Sequence, residues 1–178
     1  MKDIINTIAR AYPIIIMTWV FLHFIGTRSV DSAYLWIWLI LMSLSNGLIK
    51  YIVKWQFGKK VPFLGNGERP EGAENCGVFT NTGKATTYGM PSGHSQIAAF
   101  YSCYSILYLN DIPIDNDNMK YIFSGIFAVL ALWIMYSRVY LKCHTYQQVI
   151  IGGALGMIFA FIAYTIKTDV LNTLYYKK

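Results

Sequence analysis

The chain has 178 residues, of which 55% are hydrophobic and only 13% charged, about half the charged fraction of an ordinary soluble domain. That composition argues against a free cytosolic globule, and with 16% aromatic residues it excludes a disordered chain. The length suits a single domain over residues 1–178, and the net charge of +6 fits lipid headgroups, since no nucleic-acid-binding motif is present.

A membrane helix needs about 17–25 mainly apolar residues. Five stretches approach or meet that length, at residues 8–25, 33–53, 94–109, 121–140 and 148–166. They predict an all-α fold, a polytopic membrane helix bundle with about five transmembrane helices. In the first stretch Arg10 and Pro13 sit near the start. Residues 1–11 alternatively form an interfacial helix, with Ile4, Ile5, Ile8 and Ala11 on one face. No small-x-small cleavage site follows this stretch closely, so it is expected to be retained.

Between the second and third stretches lies one long polar loop, residues 54–91, rich in Gly, Asn, Thr and Lys. A loop of that length in so small a protein is usually functional or disordered. The third stretch is short and is expected to gain a turn from its flanks. In the fifth, Gly152-x-x-x-Gly156 predicts close helix packing. None of the nine acidic residues falls inside a stretch, as the cost of an intramembrane carboxylate requires, which weakens a reading as a proton-coupled transporter. Cys76, Cys103 and Cys143 have the spacing of neither a disulfide framework nor a zinc site.

Three places carry polar residues that packing alone does not ask for. At Pro91-Ser92-Gly93-His94, Pro91 ends any earlier helix and Ser92 is a natural N-cap. The N–H groups that follow have no intrahelical partner, and with the helix dipole they form an anion site. Gly93 has no Cβ to hold a phosphate away. Ser137-Arg138 closes the fourth stretch, and His144 stands just ahead of Thr145-x-x-Gln148, a capping box for the fifth. Arg69-Pro70 lies in the loop, and Lys50 shares a helix face with Asn46 near the end of the second stretch. Each place alone has a bland reading: a capped helix, a snorkelling cation, a cap glutamine. Five spans, however, put the N-terminus, the 54–91 loop and the 141–147 turn on one side of the membrane. Lys50, Arg69, Ser92, His94, Arg138 and His144 then share one face and describe a phosphate site, with one histidine to attack phosphorus and another to protonate a leaving oxygen.

These residues resemble the type-2 phosphatidic acid phosphatase superfamily over most of the chain, about residues 43–166. The family's Lys…Arg-Pro, Pro-Ser-Gly-His and Ser-Arg-x5-His elements correspond to Lys50…Arg69-Pro70, Pro91-Ser92-Gly93-His94 and Ser137-Arg138…His144. Around the last two elements the sequence looks most like the dolichyl-diphosphate phosphatases. Two departures stand out. The family usually places its lysine seven residues before the arginine, and that position is Pro62 here. Asn46-x-x-x-Lys50 resembles the family's helix ending with an insertion after it, and Lys54, Lys59 and Lys60 are rival candidates. Gln148 occupies the place of the aspartate that orients the nucleophilic histidine in most members. Its carbonyl can accept the His144 ring N–H, and Glu68 or Glu71 is the candidate for the missing charge.

The resemblance implies a two-step lipid phosphatase that uses no metal and no cofactor. His144 attacks the terminal phosphorus to form a phosphohistidine, and His94 protonates the departing oxygen and then activates water. Lys50, Arg69, Arg138, the Ser92 hydroxyl and the Gly93 N–H hold the phosphoryl oxygens, with Ser137 and Gln148 in support. The substrate expected is a polyprenyl, dolichyl-type diphosphate. A phosphatidic acid or phosphatidylglycerophosphate monophosphatase is the alternative within the chemistry, and a non-catalytic binder of anionic headgroups is the alternative outside it. The sequence sets no oligomeric state. Lys and Arg favour the active-site side, which the positive-inside rule places in the cytosol. The dolichyl-type resemblance implies instead an endoplasmic reticulum protein with a lumenal site, where Cys76 and Cys143, on the same side, can pair.

Overall fold

A computed structural model describes residues 2–73, 76–77, 85, 87–114 and 116–176, without the side chains of residues 2–3 and 170–176. The remaining parts of the polar loop, Glu74 among them, and Asp115 lie outside the described residues. Five helices follow in order: α1 Lys2–Thr27, α2 Val30–Phe57, α3 Gly93–Tyr108, α4 Asp117–Tyr140 and α5 Tyr146–Tyr176. Four of them contain segments long and apolar enough to cross a membrane, Ile4–Thr27, Val30–Phe57, Asp117–Tyr140 and Tyr146–Asp169. The chain is an all-helical membrane bundle. The polar loop adds a hairpin, β1 Lys60–Val61 and β2 Gly65–Asn66, with Lys60 opposite Asn66.

The helix ends follow their sequence signals. Ser92 caps α3 by accepting from the Ser95 N–H, and Asn116 caps α4 by accepting from Asn118. Thr145 and Gln148 form the expected capping box: the Gln148 N–H donates to Thr145 Oγ1 at 3.4 Å, and the Thr145 N–H to Gln148 Oε1 at 3.3 Å. α1 differs from one of the two expectations. No separate interfacial helix ends at residue 11, because the helix continues through Pro13. Proline has no N–H for the carbonyl four residues earlier, so the turn around Ala9 and Arg10 is weakened in its hydrogen bonding.

α3 also departs from the expectation. It gains no turn from its flanks and stays at 16 residues, about 24 Å of helix. It reaches no further because it is not a lipid-facing span of ordinary kind. It runs through the centre of the bundle, packed by α1, α2, α4 and α5, and Ala98, Phe100, Ser95 and Gln96 are buried. The outer helices turn Trp19, Leu44, Leu48, Leu132, Val129, Ile150 and Phe161 outward, the apolar exterior that a bilayer asks for.

Gly152 and Gly156 let α5 lie directly on α3. A Cβ at Gly152 would collide with the Ser92 carbonyl, and one at Gly156 with the Gln96 carbonyl. Close approach of this kind is how small residues stabilise helix pairs in lipid. The Ser92 N–H donates to the Gln148 carbonyl at 3.0 Å, so the start of α3 is fixed to the start of α5. At the opposite end Lys167 pairs with Asp31 at 3.3 Å and Asp111 at 3.5 Å and lies over the Tyr108 ring. That knot joins the beginning of α2, the segment after α3 and the body of α5, and it places them on the face away from the polar loop.

Two predictions follow from this arrangement. In a Cys103→Ser background, cysteines introduced at Phe63 and at Asn118 should be labelled from opposite sides of the membrane. Labelling from one side would break the five-helix alternation. Gly152→Ala should be more damaging than substitution of an outward residue such as Ile150→Ala, because the new methyl meets the backbone of Ser92 rather than a side chain that can move. Thermal unfolding in detergent measures the difference, and equal Tm values for the two variants would show that the α3–α5 contact is looser than described.

Candidate active site

Local sequence accounts for where the polar residues point. The start of α3 is buried under α2 and α5, with Ser92 wholly inaccessible and Gly93 beside Asn46. A Cβ on Gly93 would fall 2.9 Å from Asn46 Oδ1, so glycine here serves the α2 contact as well as the open helix end. Asn46 Nδ2 donates to Gln96 Oε1 at 2.8 Å, and Gln96 Nε2 to Ser45 Oγ at 3.2 Å. This polar pair sets α2 against α3 and so sets Lys50, one turn further along α2, near the α3 N-terminus.

The cations converge there. Arg138 is fully buried, with Nε and Nη2 donating to Ser137 Oγ at 3.0 and 2.9 Å, while Nη1 is buried with no protein partner among the described residues. Ser137 in turn donates to the Ile134 carbonyl at 2.6 Å, which aims its lone pairs at the guanidinium. Arg69 spans the loop and the turn before α5: Nε donates to the Thr87 carbonyl at 3.0 Å, Nη2 to Thr87 Oγ1 at 2.8 Å, and Nη1 to the Cys143 carbonyl at 3.1 Å. Burial pushes Arg69 below its usual pKa. The charge of Lys50 reaches both His94 and His144. Of the rival lysines, Lys59 pairs with Glu68 at 3.9 Å in the open, and Lys60 is exposed on the hairpin.

The turn after α4 delivers His144. The Cys143 and His144 N–H groups both donate to the Arg138 carbonyl, at 2.9 and 3.2 Å, and Lys142 takes a positive φ of 54° to make the turn. His144 Nδ1 lies 3.0 Å from Gln148 Oε1. The Gln148 amide cannot be turned round, because its Nε2 donates to the carbonyls of Asn66 at 2.9 Å and Glu68 at 2.7 Å. Oε1 therefore faces His144, Nδ1 carries the proton, and Nε2 is the free base. The glutamine is explained by the same pair of carbonyls, which need a donor that aspartate lacks. Glu68 thus contributes its backbone, while its carboxylate faces Lys59. The side-chain charges that act on the His144 ring are those of Arg69 and Lys50, with neither Glu68 nor Glu71 among them. Burial, reinforced by the positive charges of Arg69 and Lys50, pushes His144 down to about 2, so its ring is neutral.

His94 is held from α1. Its Nε2 lies 2.9 Å from the Arg10 carbonyl. A carbonyl only accepts, so Nε2 carries the proton and Nδ1 is left unprotonated on the neutral ring. The charges of Arg138, Arg69 and Lys50 all reach this ring. Lys50, Arg69, Ser92, Gly93, His94, Ser137, Arg138, His144 and Gln148 are therefore brought to one end of the bundle. A disulfide joins Cys76 to Cys143, tying the polar loop to the turn that carries His144, and Cys103 is free. The sequence spacing gave no framework pattern for that bond. The role of α1 was also missed. A cation within an apolar helix, as Arg10 is in α1, is a signal that points to such a role.

Three comparisons bear on the site. The sequence model of the PAP2 superfamily matches residues 35–171. Dolichyldiphosphatase 1 of Homo sapiens is 37% identical over 103 residues, 53% of this chain and 43% of that protein. Dolichyldiphosphatase of Saccharomyces cerevisiae is 32% identical over 148 residues, 82% of this chain and 56% of that protein. The chain spans about half the length of the curated relatives it matches. Among solved structures, the transmembrane PAP2 type phosphatidylglycerolphosphate phosphatase of Bacillus subtilis superposes with a TM-score of 0.63 at 20% identity, covering 93% of this chain and 74% of that one. At that identity the likeness is one of fold.

The Gln148 geometry is directly testable. Gln148→Glu puts a carboxylate against the Asn66 and Glu68 carbonyls, and each carbonyl that loses its donor costs about 1–3 kcal/mol. At neutral pH the variant should unfold at lower temperature and expose the 54–91 loop to protease faster than the wild type. At acid pH the protonated carboxyl can donate to one carbonyl again, so the deficit should shrink. A variant as stable as the wild type at neutral pH would show that the amide does not hold the loop.

Proposed function

The chain belongs to the PAP2 superfamily, and we propose that it is an integral membrane phosphatase that removes the terminal phosphate of a polyprenyl, dolichyl-type diphosphate. The observation that carries this reading is the pair of histidines with fixed and complementary free nitrogens, His144 Nε2 and His94 Nδ1, set among Lys50, Arg69 and Arg138 at the open end of α3. The dolichyldiphosphatase relatives support the choice of substrate class.

In this reading the terminal phosphate docks on the Gly93 N–H, the Ser92 hydroxyl and the three cations. Its oxygens supply the acceptor that Arg138 Nη1 lacks. His144 Nε2 attacks phosphorus, and the bond from phosphorus to the bridging oxygen breaks. His94, protonated in the complex, gives its proton from Nδ1 to that oxygen, and the lipid monophosphate leaves. The resulting phosphohistidine is then attacked by water, with His94 taking up a water proton, and inorganic phosphate departs. The cations and N–H groups are positioned to stabilise charge on the equatorial oxygens in both steps. Ser137 and Gln148 position Arg138 and His144, and no metal takes part.

The Cys76–Cys143 disulfide lies beside His144, and disulfides persist on the oxidising side of a membrane. It supports a site facing the lumen of the endoplasmic reticulum over the cytosolic placement that the Lys and Arg distribution favours.

Purified protein offered polyprenyl diphosphate, polyprenyl monophosphate and phosphatidic acid should release phosphate fastest from the first, and chelator should leave that rate unchanged. His144→Ala should abolish both turnover and an acid-labile, base-stable phosphoenzyme. His94→Ala should lower turnover by roughly 10²–10⁴-fold and let the phosphoenzyme accumulate on a substrate with a good leaving group. Preference for phosphatidic acid would reassign the substrate, and a phosphoenzyme trapped on His94 would reverse the roles.

A further inference from the structure

We propose that Arg10, on α1, is a specificity residue that binds the phosphate remaining on the leaving group, so that the site selects lipid diphosphates over lipid monophosphates. The inference rests on the functional reading above and adds to it a residue outside the matched family region, which begins at residue 35.

Arg10 is a cation within an apolar helix, where an unused charge is expensive. Its Nε is buried with no hydrogen-bond partner, and no carboxylate pairs with it among the described residues. Its guanidinium lies close enough to Arg138 that the two repel. Arg138 Nη1 is likewise buried and unpartnered. In the reading above the terminal phosphate answers Arg138 Nη1, which leaves the Arg10 guanidinium without an anion, and a second negative group beside the first would satisfy it.

The position of Arg10 says which anion. In-line transfer puts the attacking atom and the leaving oxygen on opposite sides of phosphorus. His144 defines the attacking side. His94 must reach the leaving oxygen, and His94 hangs by Nε2 on the backbone carbonyl of Arg10. The backbone of Arg10 therefore stands behind the histidine that serves the leaving oxygen, and the proposal puts its side chain on that leaving-group side. Next to it along α1, a groove of about 220 Å³ lies between α1 and α4, lined by Ile5, Asn6, Ala9, Trp133, Tyr136, Ser137 and Tyr140. Its lining is mostly apolar and includes the serine that holds Arg138, so the proposal gives it to the polyprenyl chain. The group between the chain and the scissile bond then passes Arg10. In a monophosphate ester that group is a lone oxygen. In a diphosphate it is a charged phosphate, which matches the free Nε and the guanidinium. Charge-assisted bonds of this kind are the strong ones.

The test compares wild type, Arg10→Gln and Arg10→Lys in detergent, on polyprenyl diphosphate and polyprenyl monophosphate, with inorganic pyrophosphate and inorganic phosphate as competing inhibitors. Both substitutions keep the backbone carbonyl that holds His94. Arg10→Gln should lower kcat/KM on the diphosphate about tenfold or more beyond its effect on the monophosphate, the scale of one charge-assisted bond. It should weaken inhibition by pyrophosphate more than inhibition by phosphate, and Arg10→Lys should recover part of both. Equal losses on the two substrates, with equal changes for the two inhibitors, would overturn the role of Arg10 and leave the phosphatase reading standing. A wild type that prefers the monophosphate would overturn the diphosphate reading itself, and the assignment of Arg10 with it.

Discussion

Positive charge without a matching carboxylate is the constraint on which the rest of this structure depends. Lys50, Arg69 and Arg138 act on one another or on the same histidines, and no acidic side chain among the described residues answers them. Such a group is held apart from water only if the scaffold grips each cation by neutral acceptors. Arg69 is gripped by Thr87 and the Cys143 carbonyl, and Arg138 by Ser137. The bundle must resist the repulsion as well. Its answer is backbone contact: α5 against α3 at Gly152 and Gly156, and the Ser92 N–H on the Gln148 carbonyl. The knot of Lys167 with Asp31 and Asp111 closes the far end, so the repulsive end cannot open by splaying the helices from below.

The fold was legible where its causes are local. An apolar run, a proline followed by a serine, and a threonine three residues before a glutamine each act within a few residues. Accordingly α2 to α5 and their caps stand within a few residues of expectation at most ends. α5 is the exception, running to Tyr176 rather than residue 166. The clustering of the candidate site residues was legible for another reason, because a one-sided topology gathers Lys50, Arg69, Ser92, His94, Arg138 and His144 once the spans are counted. What escaped was long-range. The Arg10 carbonyl meets a histidine 84 residues away, and Gln148 meets the Asn66 carbonyl 82 residues away. Neither partner has a side-chain identity that a spacing rule can read, since backbone carbonyls are everywhere in the chain.

α3 shows how a short helix can be central. A lipid-facing helix must match the bilayer thickness, but a helix surrounded by four others need only match its neighbours. Its length is therefore free to be set by chemistry. Pro91 and Ser92 stop it so that its open N–H groups fall at the depth of Arg138 and the histidines. Gln96, buried one turn in, can be polar because Asn46 and Ser45 answer it. The start of α3 also brings His94 to the Arg10 carbonyl of α1.

The replacement of an acidic partner by Gln148 has an electrostatic consequence. A carboxylate beside a histidine stabilises the ring when it becomes positive, and it does so whether or not substrate is bound. Gln148 fixes the tautomer of His144 but contributes no charge, and the surrounding cations disfavour a positive ring. In the proposed reaction the ring acquires positive character as it bonds to phosphorus, so the compensating negative charge has to come from the phosphate itself. In the proposed substrate a dianionic terminal phosphate, with a second phosphate beside it, would bring that charge and meet the cations at the same moment. In the proposed reaction the site would therefore be completed electrostatically by its own substrate, and an acidic side chain in place of Gln148 would give up that dependence while also releasing the Asn66 and Glu68 carbonyls that hold the loop.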